Sequence, residues 1–162
     1  MPQVTKIPCL ILLALAFAAV AGGCRKPPGP TPEVTIGDRR WFVDVALTRA
    51  DREAGLSGRG HIPDDVGMLF VFRRPEILEF CMRGCHVPID IAFIDAKLRI
   101  VAIETMAVEP DRAGVKIYSS PAPALYALEV AGGTLTGAGI RVGDKVTFSA
   151  EIPPPAKADP RP

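Results

Sequence analysis

The sequence predicts a mostly β fold of the α+β class: a small, compact β-barrel or β-clip-like domain of about seven or eight short strands with one clear helix. Three observations support this prediction. Short segments that are apolar or alternate in polarity recur between turn residues. Only one segment carries a strong helix-start signal. The chain of 162 residues has Pro-rich segments near both ends, and the part between them suits one domain.

The first predicted elements are a β-hairpin and the helix. Residues 34–47 form two runs around Gly37-Asp38, a two-residue turn that accepts positive φ. Thr48 then begins the helix, because Thr48 and Asp51 have the spacing of a capping box with Asp in place of the usual Glu. Gly58 is predicted to end it, since glycine readily takes the left-handed conformation after a helix.

The remaining elements are predicted to be short strands. Residues 67–72 are almost continuously apolar, which favours a strand buried on both faces. Residues 77–83 alternate in polarity, with Leu78, Phe80 and Met82 on one face. Residues 131–140 are Gly-rich and give at most a weak, short helix. The other predicted strands are residues 89–95 and 98–105, which form a second hairpin, residues 124–130, and a last strand after the Gly143-Asp144 turn.

The N-terminus, residues 1–23, reads as a lipoprotein-type signal peptide. Lys6 supplies a positive start, and residues 10–20 form an apolar run shorter than the about 20 residues of a membrane-spanning helix. Small residues then lead directly to Cys24, the predicted site of lipid attachment. Two alternatives are plain secretion after cleavage at the small-residue pattern ending at Ala21, and an uncleaved anchor.

The predicted domain organisation follows from the signal segment and from the Pro-rich segments near both ends of the chain. Residues 24–33 form a Pro-rich tether, residues 34–152 the folded domain, and residues 153–162 a disordered tail. We expect an exported protein, lipid-anchored in the cell envelope, whose domain faces the periplasm or the exterior. The net charge of +1 gives no electrostatic attraction for nucleic acid. The expected partner is the membrane, reached through the lipid, and we expect a monomer whose protein or small-molecule ligand the sequence does not identify.

Cys81, Cys85 and His86 form a candidate ligand cluster. Thiolate and imidazole ligands suit copper or zinc, although the pattern alone predicts no cofactor. An extended chain would hold the two cysteine Cα atoms about 13 Å apart at about 3.3 Å per residue. A disulfide needs a separation of about 7 Å or less, so the chain must turn near Gly84 for the thiols to meet. Two separate structural thiols, a disulfide, and a metal or thiol-redox site all remain open.

Buried carboxylates give a second candidate site. Asp90 and Glu129 each occupy a strand face that is otherwise apolar. A buried carboxylate must be paired or neutral, and Arg59 and Arg83 are possible partners. With Met82, these four residues define the candidate pocket. If the two acids shared it, they would form a general acid/base pair of a hydrolase-like enzyme; the alternative is structural ion pairing.

Several fragments together resemble a known family. The fragments "EAGLSGR", "GMLFVF", "FCMRGCHVPIDIAFID", "RIVAIE", "ALEVAGG" and "AGIRVGDKV" occur in this order between residues 43 and 148. As a set they resemble the domain-of-unknown-function family 192 (DUF192), small β-rich domains often found in prokaryotes with a secretion signal or a lipoprotein anchor. The resemblance implies a mostly β domain whose activity is not established.

The chain also departs from that family's pattern. The family's usual core motif is Phe-Trp-Met-Lys-Asn-Thr, and here Cys81 replaces Trp and Cys85 replaces Thr. Met82, Pro88 and Asp90 match the pattern. We expect a non-catalytic binding or accessory domain whose ligand the sequence does not identify. The alternative is a metal-binding or thiol-redox protein that uses Cys81, Cys85 and His86. The third possibility is the hydrolase-like enzyme, and the sequence establishes no catalytic residue for it.

Overall fold

A seven-stranded sheet forms the centre of the domain. The computed structural model describes residues 31–149 and 152–154. The predicted signal peptide, Cys24 and most of the predicted tether and tail lie outside these residues. In chain order the elements are β1 (Glu33–Ile36), β2 (Arg39–Ala46), α1 (Arg49–Ala54), β3 (Val66–Glu76), β4 (Glu79–Cys81), β5 (Ile89–Ile94), β6 (Ile100–Met106), β7 (Ile117–Ser119), β8 (Ala124–Ala131), α2 (Thr134–Gly137) and β9 (Val146–Phe148).

The strand order of the large sheet is β6-β5-β8-β3-β2-β1-β9, and β4 pairs with β7 in a separate two-stranded sheet. All pairs are antiparallel except β2 with β3. The sheet curls into a half-barrel, and a bridge between Arg99 and Lys145 links its two edges at one end. The predicted mostly β class is therefore confirmed.

Two apolar cores cover the two faces of the curled sheet. The inner core receives side chains from all seven strands, among them Trp41, Leu69, Ile94, Leu128 and Val146. The outer core lies on the opposite face and includes Phe70, Ile91 and Ala127. Leu56, Leu78, Met82 and Tyr118, from outside the large sheet, pack against the outer core. Because both faces are covered, β5 is buried along its whole length.

Local sequence signals account for most element boundaries. Gly37, with φ of 57°, lies in the turn between β1 and β2. The Thr48 hydroxyl accepts a hydrogen bond from the Asp51 amide, and the Asp51 carboxylate accepts one from the Thr48 amide, so the predicted capping box is confirmed. The weak helix predicted in residues 131–140 is the single turn α2.

One prediction of local structure was wrong, and one strand was not predicted. The helix ends earlier than predicted, because Gly55 takes φ of 48° and donates its amide to the Asp51 carbonyl at 2.9 Å. Gly58 instead lies in the turn that follows, where its amide donates to the Gly84 carbonyl at 2.9 Å. The sequence also did not predict β7, which is three residues long and exists through its pairing with β4.

Within the described ranges, 31–149 and 152–154, no helix is both long and apolar enough to cross a bilayer.

Close packing between β3 and β8 yields a testable prediction. A Cβ atom on Gly67 would lie 2.6 Å from the Glu129 carbonyl oxygen and 2.9 Å from Cγ1 of Val130. Gly67→Ala must push the strands apart, so we expect the free energy of unfolding to fall by about 1–3 kcal/mol in urea titrations. The matched control is Gly60→Ala, because an added Cβ at this exposed glycine meets nothing within 4 Å. Equal stabilities of the two variants would contradict this packing.

Candidate functional site

A cavity of about 340 Å³ lies on the outer face of the sheet, and we call it the Glu129 pocket. Its base comes from β3 and β8, and one wall comes from α1 and the turn after it. The other wall comes from β4 and the loop after β4. The lining includes Phe70, Phe72 and Glu129 at the base, Arg49, Arg52, Glu53 and Gly55 on the α1 side, and Glu79, Phe80, Cys81, Arg83 and Cys85 on the β4 side.

Glu129 is a buried carboxyl group at the base of this pocket. It lies on β8 opposite Met68 of β3 and Ile91 of β5, and its side chain is only 5% exposed. Among the described residues, no group hydrogen-bonds or pairs with its carboxyl. Burial raises the pKa of Glu129 to about 8, because the apolar surroundings disfavour the charged form. At neutral pH the group therefore holds its proton.

The end of α1 covers this carboxyl. A Cβ atom on Gly55 would stand 3.9 Å from Oε2 of Glu129 and 3.6 Å from Cζ of Phe70. Gly55 has positive φ, so a larger residue would be strained there as well as crowded. The helix end thus lies directly against the acid and limits its access to water.

Aromatic rings form the apolar lining. The Phe80 ring centroid lies 5.0 Å from that of Phe70 and 6.4 Å from that of Phe72, in edge-to-face arrangements. Behind them, Phe93 packs against Phe80 at 5.8 Å. Because each ring contacts another ring, their positions are mutually fixed. An apolar ligand group would find a preformed surface here.

The mouth of the pocket carries charges of both signs. Arg49 pairs with Glu53 at 2.6 Å. Arg52 donates to the carbonyls of Leu47 and Val71 at 3.2 and 3.3 Å, and its guanidinium lies 5.1 Å from the centre of the Phe72 ring. The exposed side chains of Glu79 and Arg83 complete the charged mouth. The pocket is thus polar at its opening and apolar around Glu129.

Cys81 and Cys85 both line the pocket as free thiols. The chain turns between them near Gly84, which is the turn that the two thiols need in order to approach each other. The Cys85 amide donates to the Met82 carbonyl at 3.1 Å, and Gly84 takes φ of 67°. Burial, the nearby Glu129 and the Cys81 thiol together raise the pKa of Cys85 to about 11. The bend therefore brings both thiols to one cavity without bonding them to each other.

His86 does not join the two thiols. It is exposed, and its ring nitrogen Nδ1 lies 3.3 Å from the Arg112 guanidinium. Met82, which flanks the cysteines in sequence, is fully buried in the outer core. Across residues 31–149 and 152–154, no three His, Cys, Asp or Glu side chains are grouped to hold a metal ion. The predicted set of Cys81, Cys85 and His86 is thus not assembled, and copper or zinc binding stays a prediction.

Asp90 and Glu129 lie on opposite faces of the sheet. Asp90 pairs with Val130 and Glu129 with Ile91, and neighbouring residues of a strand point to opposite faces. Asp90 faces the inner side, where its carboxylate accepts hydrogen bonds from the Thr105 hydroxyl at 2.8 Å and the Leu135 amide at 2.9 Å. The general acid/base pair considered from the sequence is therefore wrong, and Asp90 has a structural role.

The two arginines considered as partners do not pair with these acids. Arg59 forms an ion pair with Asp44 at 2.7 Å, away from the pocket. Arg83 lines the mouth, but its Nε donates to the Ala113 carbonyl at 3.4 Å. Of the predicted candidate pocket residues, only Arg83 and Glu129 line the cavity, whereas Arg59, Met82 and Asp90 do not.

The sequence did not predict Gly55, Phe70 and Phe80 as pocket residues. Each was visible only as a helix-end glycine or as an apolar residue of a strand. Their common location depends on α1 crossing the outer face, which the local pattern does not encode.

The raised pKa of Glu129 predicts how stability depends on pH. The native state retains a proton that the unfolded chain releases, so the free energy of unfolding should fall as the pH rises from about 4.5 to about 8. Each pKa unit corresponds to about 1.4 kcal/mol. We therefore expect Glu129→Gln to be several kcal/mol more stable than the wild type at pH 9 and similar to it near pH 4.5, as measured by urea unfolding.

A suitable control is Glu79→Gln, which removes an exposed carboxylate from the mouth of the same pocket. This variant should follow the wild type at every pH. Parallel stability curves for Glu129→Gln and the wild type would show that Glu129 is ionised in the native protein.

Several solved structures are similar to this chain, and they include those of two proteins of about 30% identity. A protein of unknown function from Novosphingobium aromaticivorans DSM 12444 is 31% identical with a TM-score of 0.66, over 71% of this chain and 83% of that chain. A Sinorhizobium meliloti 1021 protein, provisionally described as a transcription regulator, is 27% identical with a TM-score of 0.65, over 73% of this chain and 92% of that chain. A search of curated proteins finds no detectably similar sequence.

The family comparison agrees with the resemblance seen in the sequence. The model of the DUF192 family, described as "Uncharacterized ACR", matches residues 33–148. This match begins at the first residue of β1 and ends at the last residue of β9, so it includes every element of the domain. The chain therefore belongs to the DUF192 family.

Proposed function

We propose that this domain is a binding module that takes a small organic ligand into the Glu129 pocket. The carrying observation is that Glu129, a polar side chain 5% exposed, faces a cavity of about 340 Å³ and has no partner among the described residues. Among the described residues, the buried side-chain polar atom without a partner is Trp41 Nε1, so the Glu129 oxygens are not sealed off and can be reached from the cavity. A ligand in the cavity could therefore hydrogen-bond to Glu129, and ligand sites commonly combine an apolar lining with few polar groups.

Ligand binding has more support than catalysis that would use a pair of carboxyl groups. Asp90 is on the other face of the sheet and already accepts two hydrogen bonds. Glu129 is therefore a single acid in an aromatic pocket, which suits recognition of a ligand. The charge of the chain gives no support to a role in transcription, since a net charge of +1 supplies no attraction for nucleic acid.

The module is further proposed to be exported and lipid-anchored at Cys24. The apolar run at residues 10–20 and the small residues before Cys24 support this proposal. The Pro-rich tether would hold the domain away from the membrane surface, because Pro-rich segments are extended and semi-rigid. The pocket would then face the periplasm or the exterior.

Binding at the Glu129 pocket is testable with a fragment library and NMR. The full-length chain carrying Cys9→Ser and Cys24→Ser leaves only the two pocket thiols. N-ethylmaleimide should label Cys81 first, since Cys85 is buried and its pKa is raised to about 11. We expect fragments to shift the amide signals of Gly55 and Phe80, and labelling to abolish these shifts, because the adduct occupies the cavity.

The control for this experiment adds Cys81→Ala. This protein should bind the same fragments before and after treatment with the maleimide. Fragments that bind labelled and unlabelled protein equally, or a library without any hit at these residues, would refute the pocket as a ligand site.

Lipid attachment is tested separately by Cys24→Ala. We expect the variant to leave the membrane fraction for the soluble fraction of the cell envelope, because it lacks the acyl-bearing thiol. Immunoblots of the two fractions measure this change, and Cys9→Ala serves as the matched control. Equal membrane retention of Cys24→Ala and the wild type would count against lipidation.

A further inference from the structure

We propose that the Glu129 pocket recognises a neutral, largely apolar ligand through a carboxamide-type group, with one N–H donor and one carbonyl acceptor, placed against Glu129. This inference rests on the proposed function, since it names the ligand class of the same pocket. Its basis is the unpartnered carboxyl at the base, the three phenylalanine rings beside it and the cover provided by Gly55.

The hydrogen-bonding capacity of Glu129, at the bottom of the pocket, selects the head group of the ligand. A protonated carboxylic acid offers one O–H donor and one carbonyl acceptor on the same carbon. A primary or secondary amide presents the complementary acceptor and donor. The Glu129 hydroxyl would donate to the ligand carbonyl while the ligand N–H donates to the Glu129 carbonyl oxygen. Such a pair satisfies both polar groups and buries no net charge.

A charged ligand fits the bottom of the pocket, where Glu129 lies, less well than a neutral amide. An ammonium group would require Glu129 to ionise and would itself lose its hydration, and removing two charges from water is costly even when they pair. A carboxylate ligand could accept the Glu129 proton in a hydrogen bond, but its second oxygen would face the acceptor oxygen of Glu129 without a donor between them.

The walls select an apolar ligand body. Phe70, Phe72 and Phe80 present aromatic surface, and the Cys81 and Cys85 thiols behave as small apolar groups when protonated. The cavity volume of about 340 Å³ lies near the lower end of the range for small-molecule sites, which begins at about 300 Å³. A ligand with about one ring and a short amide-bearing arm would fit within it, since a cavity of about 150 Å³ is enough to bind benzene.

A test of pH dependence must take account of the titratable and charged groups that line the pocket. Those facing Glu129 from the α1 side are Arg49, Arg52 and Glu53, and those from β4 and its following loop are Glu79, Arg83 and the two thiols. Loss of the Glu129 proton removes the donor to the ligand carbonyl. With a pKa of about 8, the protonated fraction falls about tenfold between pH 7 and pH 9, and amide affinity should fall with it.

The experiment compares four probes of similar size by ligand-observed NMR titration: phenylacetamide, 2-phenylethylamine, phenylacetate and ethylbenzene. We expect phenylacetamide to bind most tightly to the wild type, with about tenfold weaker binding at pH 9 than at pH 7. Glu129→Gln keeps a carbonyl acceptor and supplies N–H donors but cannot titrate, so it should bind phenylacetamide equally at both pH values. Glu129→Leu should lose the preference for phenylacetamide over ethylbenzene.

Three results would overturn the carboxamide inference but would still support the pocket as a ligand site. These are tightest binding of the amine with loss in Glu129→Gln, tightest binding of the carboxylate, or equal binding of phenylacetamide and ethylbenzene. The absence of binding by all four probes, together with an unsuccessful fragment library, would overturn both the inference and the binding function. Circular dichroism at both pH values verifies that each variant is folded.

Discussion

The parallel pairing of β2 with β3 is the constraint on which the site depends. Parallel neighbours cannot be joined by a tight turn, so the chain must cross a face of the sheet between them. Here the crossing contains α1 and the turn after it, and Leu56 packs it onto the outer core. This crossing places Gly55 against Glu129. Without it, the carboxyl would face water and its pKa would not rise.

The same crossing also positions the cysteine loop. The Ser57 hydroxyl donates to the Arg83 carbonyl at 2.6 Å, and the Gly58 amide donates to the Gly84 carbonyl at 2.9 Å. These two bonds join the connection after α1 to the turn that separates Cys81 from Cys85. One topological requirement therefore brings together three segments that are distant in sequence: α1, the cysteine loop and β8.

An unpartnered acid in this position is a cost that the remainder of the fold must offset. On the inner face, the Asp90 carboxylate accepts two hydrogen bonds, although Trp41 Nε1 in the same core has no partner among the described residues. Two acids of similar burial thus have different consequences, one stabilising the fold and the other destabilising it at high pH. Groups that destabilise the fold, as Glu129 does at high pH, are typical of functional sites.

The sequence predicted what depends on neighbouring residues. The Gly37-Asp38 turn, the Thr48 cap, the bend at Gly84 and the burial of Glu129 all follow from short patterns. The separation of Asp90 from Glu129 depends on the register between β5 and β8, and a shift of one residue would reverse it. The cover that the end of α1 provides for Glu129 depends on the order of strands in the sheet. Neither property is encoded locally, so the pocket could not be predicted although its acid could.

The pairing of the first strand with the last has a consequence for how the chain folds. Val34 of β1 lies opposite Phe148 of β9, so residues from the two ends of the domain are neighbours in the sheet. Such contacts close a very long loop, and contacts of this kind slow folding. During synthesis, β1 has no β9 partner until nearly the whole domain has emerged. The β1–β9 edge therefore closes only late in synthesis, and until then the backbone groups of β1 on that side are open to pairing with another strand.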